Sequence, residues 1–171
     1  MKHFTDINSI FRRRGDAVAF INGSRKYPDI HGRSLFYQTP YGVIVRTEVI
    51  NLPKGNPKGS PKGEGICASP VFAFHIHDGS RCAGNMEDLF ADAGVHYNPN
   101  DCLHPYHSGD LPPLFGADGR ALSVCLTDRF TVNEIIGKTV IIHSSPDDFT
   151  TQPSGNAGEK IACGIITATA R

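Results

Sequence analysis

In the stretch Val-Phe-Ala-Phe-His-Ile-His-Asp-Gly (71–79), large apolar side chains recur at every second position and two histidines lie between them. Its aromatic and aliphatic side chains share one face: Phe72, Phe74 and Ile76. His75 and His77 share the other face, because successive side chains of an extended strand point to opposite sides. A period of two does not fit a helix, so the stretch predicts a β-strand with one apolar face and one face of imidazoles.

Six further segments have the pattern of strands, and the first three are rich in β-branched and aromatic residues and bounded by Gly, Pro and Asn. They cover residues 17–23, 32–39, 42–52, 120–128, 138–143 and 160–170. Pro-Tyr-Gly joins the second of these to the third and indicates a hairpin. Short helical turns are expected at 11–15 and 131–137. The seven strands together predict an antiparallel β-sandwich or β-barrel.

Length and charge exclude several classes of protein. The 171 residues suit one domain with a sizeable core, and we assign residues 1–16 to an N-terminal extension and 17–171 to that domain. Basic and acidic residues balance at 17 each, so we expect no nucleic-acid partner and no membrane partner. No apolar run approaches the ~18 residues of a membrane span. The first residues lack the pattern of a signal peptide, and the expected location is therefore the cytoplasm.

Two tracts between the strands have no pattern of regular structure. Residues 53–65 contain three tandem Pro-Lys-Gly units, which predict a mobile, basic loop inserted into the domain. Residues 78–119 show no obvious elements either. A tract of that length inside a compact domain is more often functional than idle.

Six of the eight histidines lie between positions 75 and 143: His75, His77, His96, His104, His107 and His143. Taken singly, each fits an ordinary hydrogen-bonded residue on the wet face of a strand. Taken together, they indicate a metal site, because His75 and His77 project to the same side of one strand and His143 ends another. Imidazoles on rigid strands suit copper, zinc, nickel or iron better than calcium or magnesium.

The segment His-Pro-Tyr-His-Ser-Gly-Asp (104–110) offers a second set of ligands. Its metal-binding side chains are His104, His107 and Asp110. Pro105 and Gly109 disfavour a helix, so these ligands are expected on a loop. Two imidazoles and one carboxylate leave one tetrahedral position open for zinc, and His96 can serve either set.

The five cysteines are dispersed: Cys67, Cys82, Cys102, Cys125 and Cys163. An odd number without a CxxC pair does not form a disulfide scaffold and excludes zinc ribbons and thioredoxin-like redox motifs. One disulfide is compatible with this set, and the spacing does not choose its partners.

Several motifs of the chain, in this order, resemble the copper–zinc superoxide dismutase family, and in particular its bacterial members. They are FHIHDG, AGVHYNP, HSGDLP, TVIIHSSPDD and GNAGEKIACG. The resemblance extends over about residues 17 to 170 and implies a Greek-key, eight-stranded antiparallel β-barrel with long functional loops. It also implies conversion of superoxide to O₂ and H₂O₂ by Cu(II)/Cu(I) cycling at a histidine-bridged copper–zinc centre.

The resemblance assigns a role to each matching residue. Copper falls on His75, His77, His96 and His143. Zinc falls on His96, His104, His107 and Asp110, with His96 as the bridge and the residue that carries a proton. Asp147 matches an aspartate that links a copper-ligand histidine to a zinc-ligand histidine, and Cys82 and Cys163 match the family's disulfide. Cys125 is then expected to be a buried apolar residue, and Cys67 and Cys102 free thiols.

One departure concerns the substrate anion. The family usually has arginine beside the copper where this chain has Lys160. Lysine retains the charge that attracts superoxide but lacks the planar fork of donors, so Lys160 is expected to act in catalysis with reduced activity.

Two alternatives accompany this interpretation. The first is a dismutase-like protein that binds zinc or copper with little turnover. The second is an adhesive β-sandwich whose histidines lie on its surface. Family members occur as dimers and as monomers, so a homodimer is one possible state.

Overall fold

A computed structural model describes residues 7–54 and 70–170. Within these residues the chain forms eight strands: β1 (Ala17–Gly23), β2 (His31–Thr39), β3 (Gly42–Ile50), β4 (Val71–His77), β5 (Asp110–Phe115), β6 (Arg120–Thr127), β7 (Thr139–His143) and β8 (Lys160–Ala168). There are also two short helices, α1 (Ile7–Arg12) and α2 (Val132–Ile135). A single turn of 3₁₀ helix covers Ala91–Ala93.

All strand pairs are antiparallel, and hydrogen bonds join them in the order β5-β4-β7-β8-β1-β2-β3-β6. The hairpin of β4 and β5 lies at one end of this order, and β6 returns to pair with β3 at the other end. This is a Greek-key connection. The two terminal strands, β5 and β6, approach each other without pairing, so the sheet curls into a nearly closed barrel. The predicted fold is confirmed.

Strand β5 was missed by the strand pattern. It lies inside the tract 78–119, for which no element was predicted, and it contains Pro112 and Pro113. Proline cannot donate to a ladder and is tolerated at the edge of a sheet. Because β5 has one hydrogen-bonded neighbour, with a register shift between Phe72 and Phe74 of β4, the two prolines are accommodated. Asp110 therefore begins a strand, whereas it was expected on a loop.

Both faces of β4 are covered. Its apolar face contributes Phe72, Phe74 and Ile76 to the main core inside the barrel. His75 and His77, on the other face, are 0% and 2% exposed. The alternation predicted from the sequence is therefore present, but the imidazoles face loops that exclude water. This burial contradicts the adhesive-sandwich alternative, which needed surface histidines.

Two short helices accompany the barrel. Helix α1 covers part of the outer surface, where Ile10 packs against Tyr37 and Ile44. It lies a few residues before the helical turn expected at 11–15, whereas α2 falls inside 131–137 as predicted. The assignment of 1–16 to an extension stays a prediction.

Some predictions fall on parts of the chain that the structure does not describe. Most of the Pro-Lys-Gly insertion at 53–65, and Cys67, lie outside the described residues. In the part of the chain that is described, no helix has both the length and the apolar character to cross a membrane.

Candidate metal centre

The first predicted ligand set comes together on one side of the barrel. Nitrogen atoms of four buried histidines all lie within 4.8 Å of one another: His75, His77, His96 and His143. Strand β4 supplies two of these side chains, two residues apart on one face. Strand β7 pairs with β4 so that Phe74 lies opposite Ile142, which brings His143 beside them. The loop that follows β4 returns to it through a bridge between His77 and His96.

The second predicted set lies next to the first. One ligand atom from each of four residues lies within the same 4.8 Å limit: His96, His104, His107 and Asp110. Gly109 brings this segment against β4, because its N–H donates to Tyr97 O and its carbonyl accepts from Ile76 N–H, both at 2.8 Å. A Cβ on Gly109 would lie 2.2 Å from Ile76 O, so only glycine permits this approach. His96 belongs to both sets, as the sequence analysis predicted.

Asp147 links the two sets from behind. Its Oδ2 accepts from His75 Nε2 at 2.8 Å, and its Oδ1 accepts from His104 Nε2 at 2.9 Å. Each hydrogen bond fixes the tautomer of its imidazole and leaves Nδ1 with a lone pair. These two Nδ1 atoms are buried without a hydrogen-bond partner. His104 Nδ1 lies 3.0 Å from Asp110 Oδ2 but forms no hydrogen bond with it. A metal ion is the partner that such lone pairs fit.

Backbone carbonyls orient two further imidazoles. His77 Nδ1 donates to Gly94 O at 2.8 Å, and His143 Nδ1 lies 3.3 Å from Gly158 O. Their Nε2 atoms face each other at 3.3 Å. This separation suits two ligands of one ion, since each Nε2 then presents a lone pair to the same point.

His96 presents one nitrogen to each set. Its Nδ1 lies 2.7 Å from Asp110 Oδ1 and 3.3 Å from His107 Nδ1, on the side of the second set. Its Nε2 is buried without a hydrogen-bond partner. The imidazole ring is therefore placed to bridge two ions, and the residues present fit a copper and a zinc ion in adjacent positions.

Burial keeps two of the imidazoles neutral. Burial and the neighbouring His75 together lower the pKa of His143 to about 3. Burial together with the nearby His143 and His96 lowers the pKa of His77 well below its usual value. Neutral imidazole is the form that binds metals, so at pH 7 no proton has to leave these two side chains.

The carboxyl groups of Asp110 and Asp147 are held in their charged form. Burial raises the pKa of Asp110, but the hydrogen bond from His96 and the nearby imidazoles of His96, His107 and His104 together lower it overall. Burial also raises the pKa of Asp147, and hydrogen bonds from His75, from the Phe149 backbone and from His104 lower it well below its usual range. Both groups are ionised at neutral pH.

Three residues that sequence reasoning missed hold the loop around His104. Gln152 forms hydrogen bonds with the backbone of His104. Arg129 Nη1 donates to the carbonyls of Pro105, His107 and Asp110 at 3.0, 3.2 and 3.3 Å. Gly155 leaves room for the hydrogen bond between Asp147 and His104. Gly155 has φ +65°, and a Cβ there would lie 2.0 Å from Asp147 Oδ1. Gln152 and Arg129 lie outside every motif named above, and Gly155 begins the GNAGEKIACG motif without having been assigned a role there.

The predicted disulfide is present. Cys82 and Cys163 are bonded across a separation of 81 residues, which ties the loop after β4 to β8. The described residues contain two free cysteines, Cys102 and Cys125. Cys125 is half-buried against the main core, and burial raises the pKa of its thiol to about 11, so it behaves as an apolar residue at neutral pH.

Lys160 lines the mouth of the centre. A depression of about 400 Å³ opens onto His77, His96, His107 and His143 and includes Lys160. The ammonium donates to Asp88 Oδ2 at 2.8 Å and to Phe90 O at 3.2 Å. The sequence predicted the nearby cation and gave no indication that a carboxylate neutralises it.

The fold and the ligand geometry agree with the comparisons to known proteins. The profile of copper/zinc superoxide dismutase (SODC) matches residues 30–166. The Cu-Zn superoxide dismutase of Legionella pneumophila is 32% identical over 159 residues, which cover 88% of this chain and 86% of that protein. The enzyme of Photobacterium leiognathi is 33% identical over 143 residues, covering 75% and 74%.

A solved structure shows the same fold. The Cu/Zn superoxide dismutase from Brucella abortus superimposes with a TM-score of 0.69 at 23% identity, covering 87% of this chain and 98% of that one. The matched profile includes every residue of the two ligand sets and the partners Asp147, Cys82 and Cys163. The chain belongs to the copper/zinc superoxide dismutase family.

Proposed function

We propose that this protein is a superoxide dismutase, which converts two superoxide anions and two protons into O₂ and H₂O₂. The observation that carries the proposal is the pair of adjacent ligand sets that share His96, whose ligand atoms lie within 4.8 Å of one another in each set. Nitrogen atoms of His75, His96 and His104 are buried there without a hydrogen-bond partner. The family comparison supports the same reaction, since the relatives named above carry that activity in their names.

We assign one metal to each ligand set. His75, His77, His96 and His143 would hold copper, and His96, His104, His107 and Asp110 would hold zinc. An all-imidazole set suits copper, whereas a set that includes a carboxylate suits zinc. Copper supplies one-electron redox chemistry in this reaction, and zinc supplies none.

The protein residues then have three tasks. His75, His77 and His143 fix the position of the redox metal on rigid strands. His96 can hold a proton at Nε2 and deliver it to the reduced substrate, while its Nδ1 stays oriented by Asp110 and the second ligand set. Lys160 supplies the positive charge at the mouth, where an anion enters.

Metal content and turnover test the proposal together. Protein loaded with copper and zinc should hold one of each per chain, and it should disproportionate superoxide produced by pulse radiolysis. His96→Ala should weaken both metals, whereas Asp110→Asn should weaken zinc and leave copper in place. Loss of copper alone in His96→Ala would refute the bridging role, and a fully loaded protein without turnover would refute the dismutase.

One observation favours the alternative of a weakly active metal-binding protein. The Lys160 ammonium is paired with Asp88, which reduces the charge available to an anion. Full occupancy with a rate close to that of free buffer would support this alternative. The homodimer, the absence of a nucleic-acid partner and the cytoplasmic location stay predictions.

A further inference from the structure

The side chain of Lys160 separates two depressions in the surface. One is the depression of about 400 Å³ over the metal centre. The other, of about 270 Å³, is lined by charged residues of both signs: Lys26, Glu87, Asp88, Glu159 and Lys160. Asp88 lines the second depression and is not among the residues around the first. The position of the ammonium therefore determines whether its positive charge acts on an anion in the depression over the metal centre or on groups in the other depression.

The ammonium is held on the side of Asp88. Its two hydrogen bonds go to Asp88 Oδ2 and Phe90 O, and these occupy two of the three donors that a lysine has. The side chain of Lys160 is 14% exposed. Partial burial strengthens the ion pair relative to a fully solvated one, so the charge of Lys160 is partly cancelled at the mouth.

The carboxylate of Asp88 is itself fixed by its loop. Its Oδ1 accepts from Phe90 N–H at 3.0 Å, and its own N–H donates to Asn85 Oδ1 at 2.9 Å. Burial raises the pKa of Asp88, but hydrogen bonds from Lys160 and from the Phe90 backbone lower it overall. The same loop is bound to β8 through the disulfide from Cys82. An ionised, anchored carboxylate can therefore restrain a flexible lysine.

We propose that Asp88 is a positioning residue that holds the Lys160 ammonium away from the metal-centre depression and limits the capture of small anions there. The inference rests on the proposed function for the destination of the anion. Asp88 lies outside both ligand sets. Through its contact with Lys160 it sets how much positive charge is present at the mouth of the metal centre.

Asp88→Asn tests the proposal with little structural change. The asparagine oxygen can still accept from Phe90 N–H, while the negative charge is lost. Asp92→Asn is the matched control, because Asp92 lies in the same loop, has the same side-chain exposure of 41%, and contacts Arg81 at 3.6 Å instead of Lys160. Asp88→Ser, whose hydroxyl can also accept from Phe90 N–H, replaces the asparagine variant if that variant does not fold.

Azide binding to copper- and zinc-loaded protein, followed by visible absorption, is the readout. The azide Kd should fall about two- to fivefold in Asp88→Asn, as expected for release of a partly exposed ion pair, and should not change in Asp92→Asn. Asp88→Glu should bind azide like the parent. In a Lys160→Met background the effect of Asp88→Asn should disappear, because the two residues act as one pair.

Three results would overturn the proposal: an azide Kd that is unchanged or higher in Asp88→Asn, an equal gain in Asp92→Asn, or a gain that persists with Lys160→Met. Failure of the proposed function is seen separately, in a parent that takes up no copper. In that case the Asp88–Lys160 pair is tested by NMR titration of metal-free protein. An Asp88 pKa that does not rise in Lys160→Met would overturn the proposal.

Discussion

Gln152 pairs its side-chain amide with both polar backbone groups of His104. Its Oε1 accepts from His104 N–H at 3.0 Å, and its Nε2 donates to His104 O at 2.7 Å. The backbone of His104, a predicted zinc ligand, thus bonds to a side chain from the loop before β8 in the way that a strand bonds to a neighbouring strand. His104 is therefore held at its backbone by Gln152 and at its imidazole Nε2 by Asp147.

Gln152→Ala should weaken zinc binding, because His104 then loses both backbone hydrogen bonds and samples other positions. Partners that orient a ligand are typically worth ten- to a hundredfold in metal affinity, and we expect about tenfold here, measured by competition with a chelator. Gln38→Ala is the control, since Gln38 accepts from the Val132 backbone away from the metal centre. Equal zinc affinity in the two variants would contradict the orienting role.

Asp147→Asn should weaken both metals. An asparagine amide can accept from one imidazole, but its NH₂ group meets the N–H of the other and forces that ring to change tautomer. The lone pair of that ring, His75 or His104, would then no longer face the metal position, and the other ring would lose the charged acceptor that orients it. We expect a loss of about ten- to a hundredfold in affinity for each metal, with the adjacent Asp148→Asn as control.

The control is informative because Asp148 has equally dense hydrogen bonding and no imidazole partner. Its carboxylate accepts from the backbone and hydroxyl groups of Thr150 and Thr151. A fall in metal affinity in Asp148→Asn as large as that in Asp147→Asn would mean that loop folding, and not imidazole orientation, is responsible.

Gly155→Ala should destabilise the protein more than Gly137→Ala. Both glycines have positive φ, +65° and +84°, so both variants carry the backbone strain of about 1 kcal/mol expected for alanine in this region. A Cβ on Gly137 meets nothing within 4 Å, whereas one on Gly155 meets Asp147 and His104. Equal unfolding midpoints in urea for the two variants would show that the region around Asp147 can expand without cost.

Part of each predicted ligand set followed from the sequence because its geometry is local. His75 and His77 share a face through the period of a strand, and His104, His107 and Asp110 lie within one short segment. The burial of β4 on both faces was not predictable, because alternation alone also describes a strand with one wet face. The imidazoles are covered by the loop after β4 and by the segment between β7 and β8, which supplies Asp147 and Gly158. Neither loop has a periodic pattern.

The residues that hold the ligands were not predictable for a physical reason. Gln152 lies 48 positions from His104, and Arg129 binds carbonyl oxygens that every residue has. Asp88 contacts Lys160 across 72 positions. Contacts of this kind depend on how loops return to the barrel, and a single sequence has no periodicity that encodes them. Strand β5 was missed because its two prolines are unfavourable everywhere except at a sheet edge.

The metal-free protein should lose stability as the pH falls below about 6.5. Buried His77 and His143 have lowered pKa values in the folded state, the latter about 3, so they stay neutral while the same residues in the unfolded chain take up protons near pH 6.5. The unfolded state then binds more protons, and the free energy of unfolding decreases with falling pH. Carboxylates with lowered pKa, such as Asp147, add to the loss only below about pH 4. The unfolding midpoint in urea should therefore fall between pH 6.5 and 4.5, and more weakly in His143→Asn. A midpoint that is constant over this range would contradict the neutral, buried imidazoles.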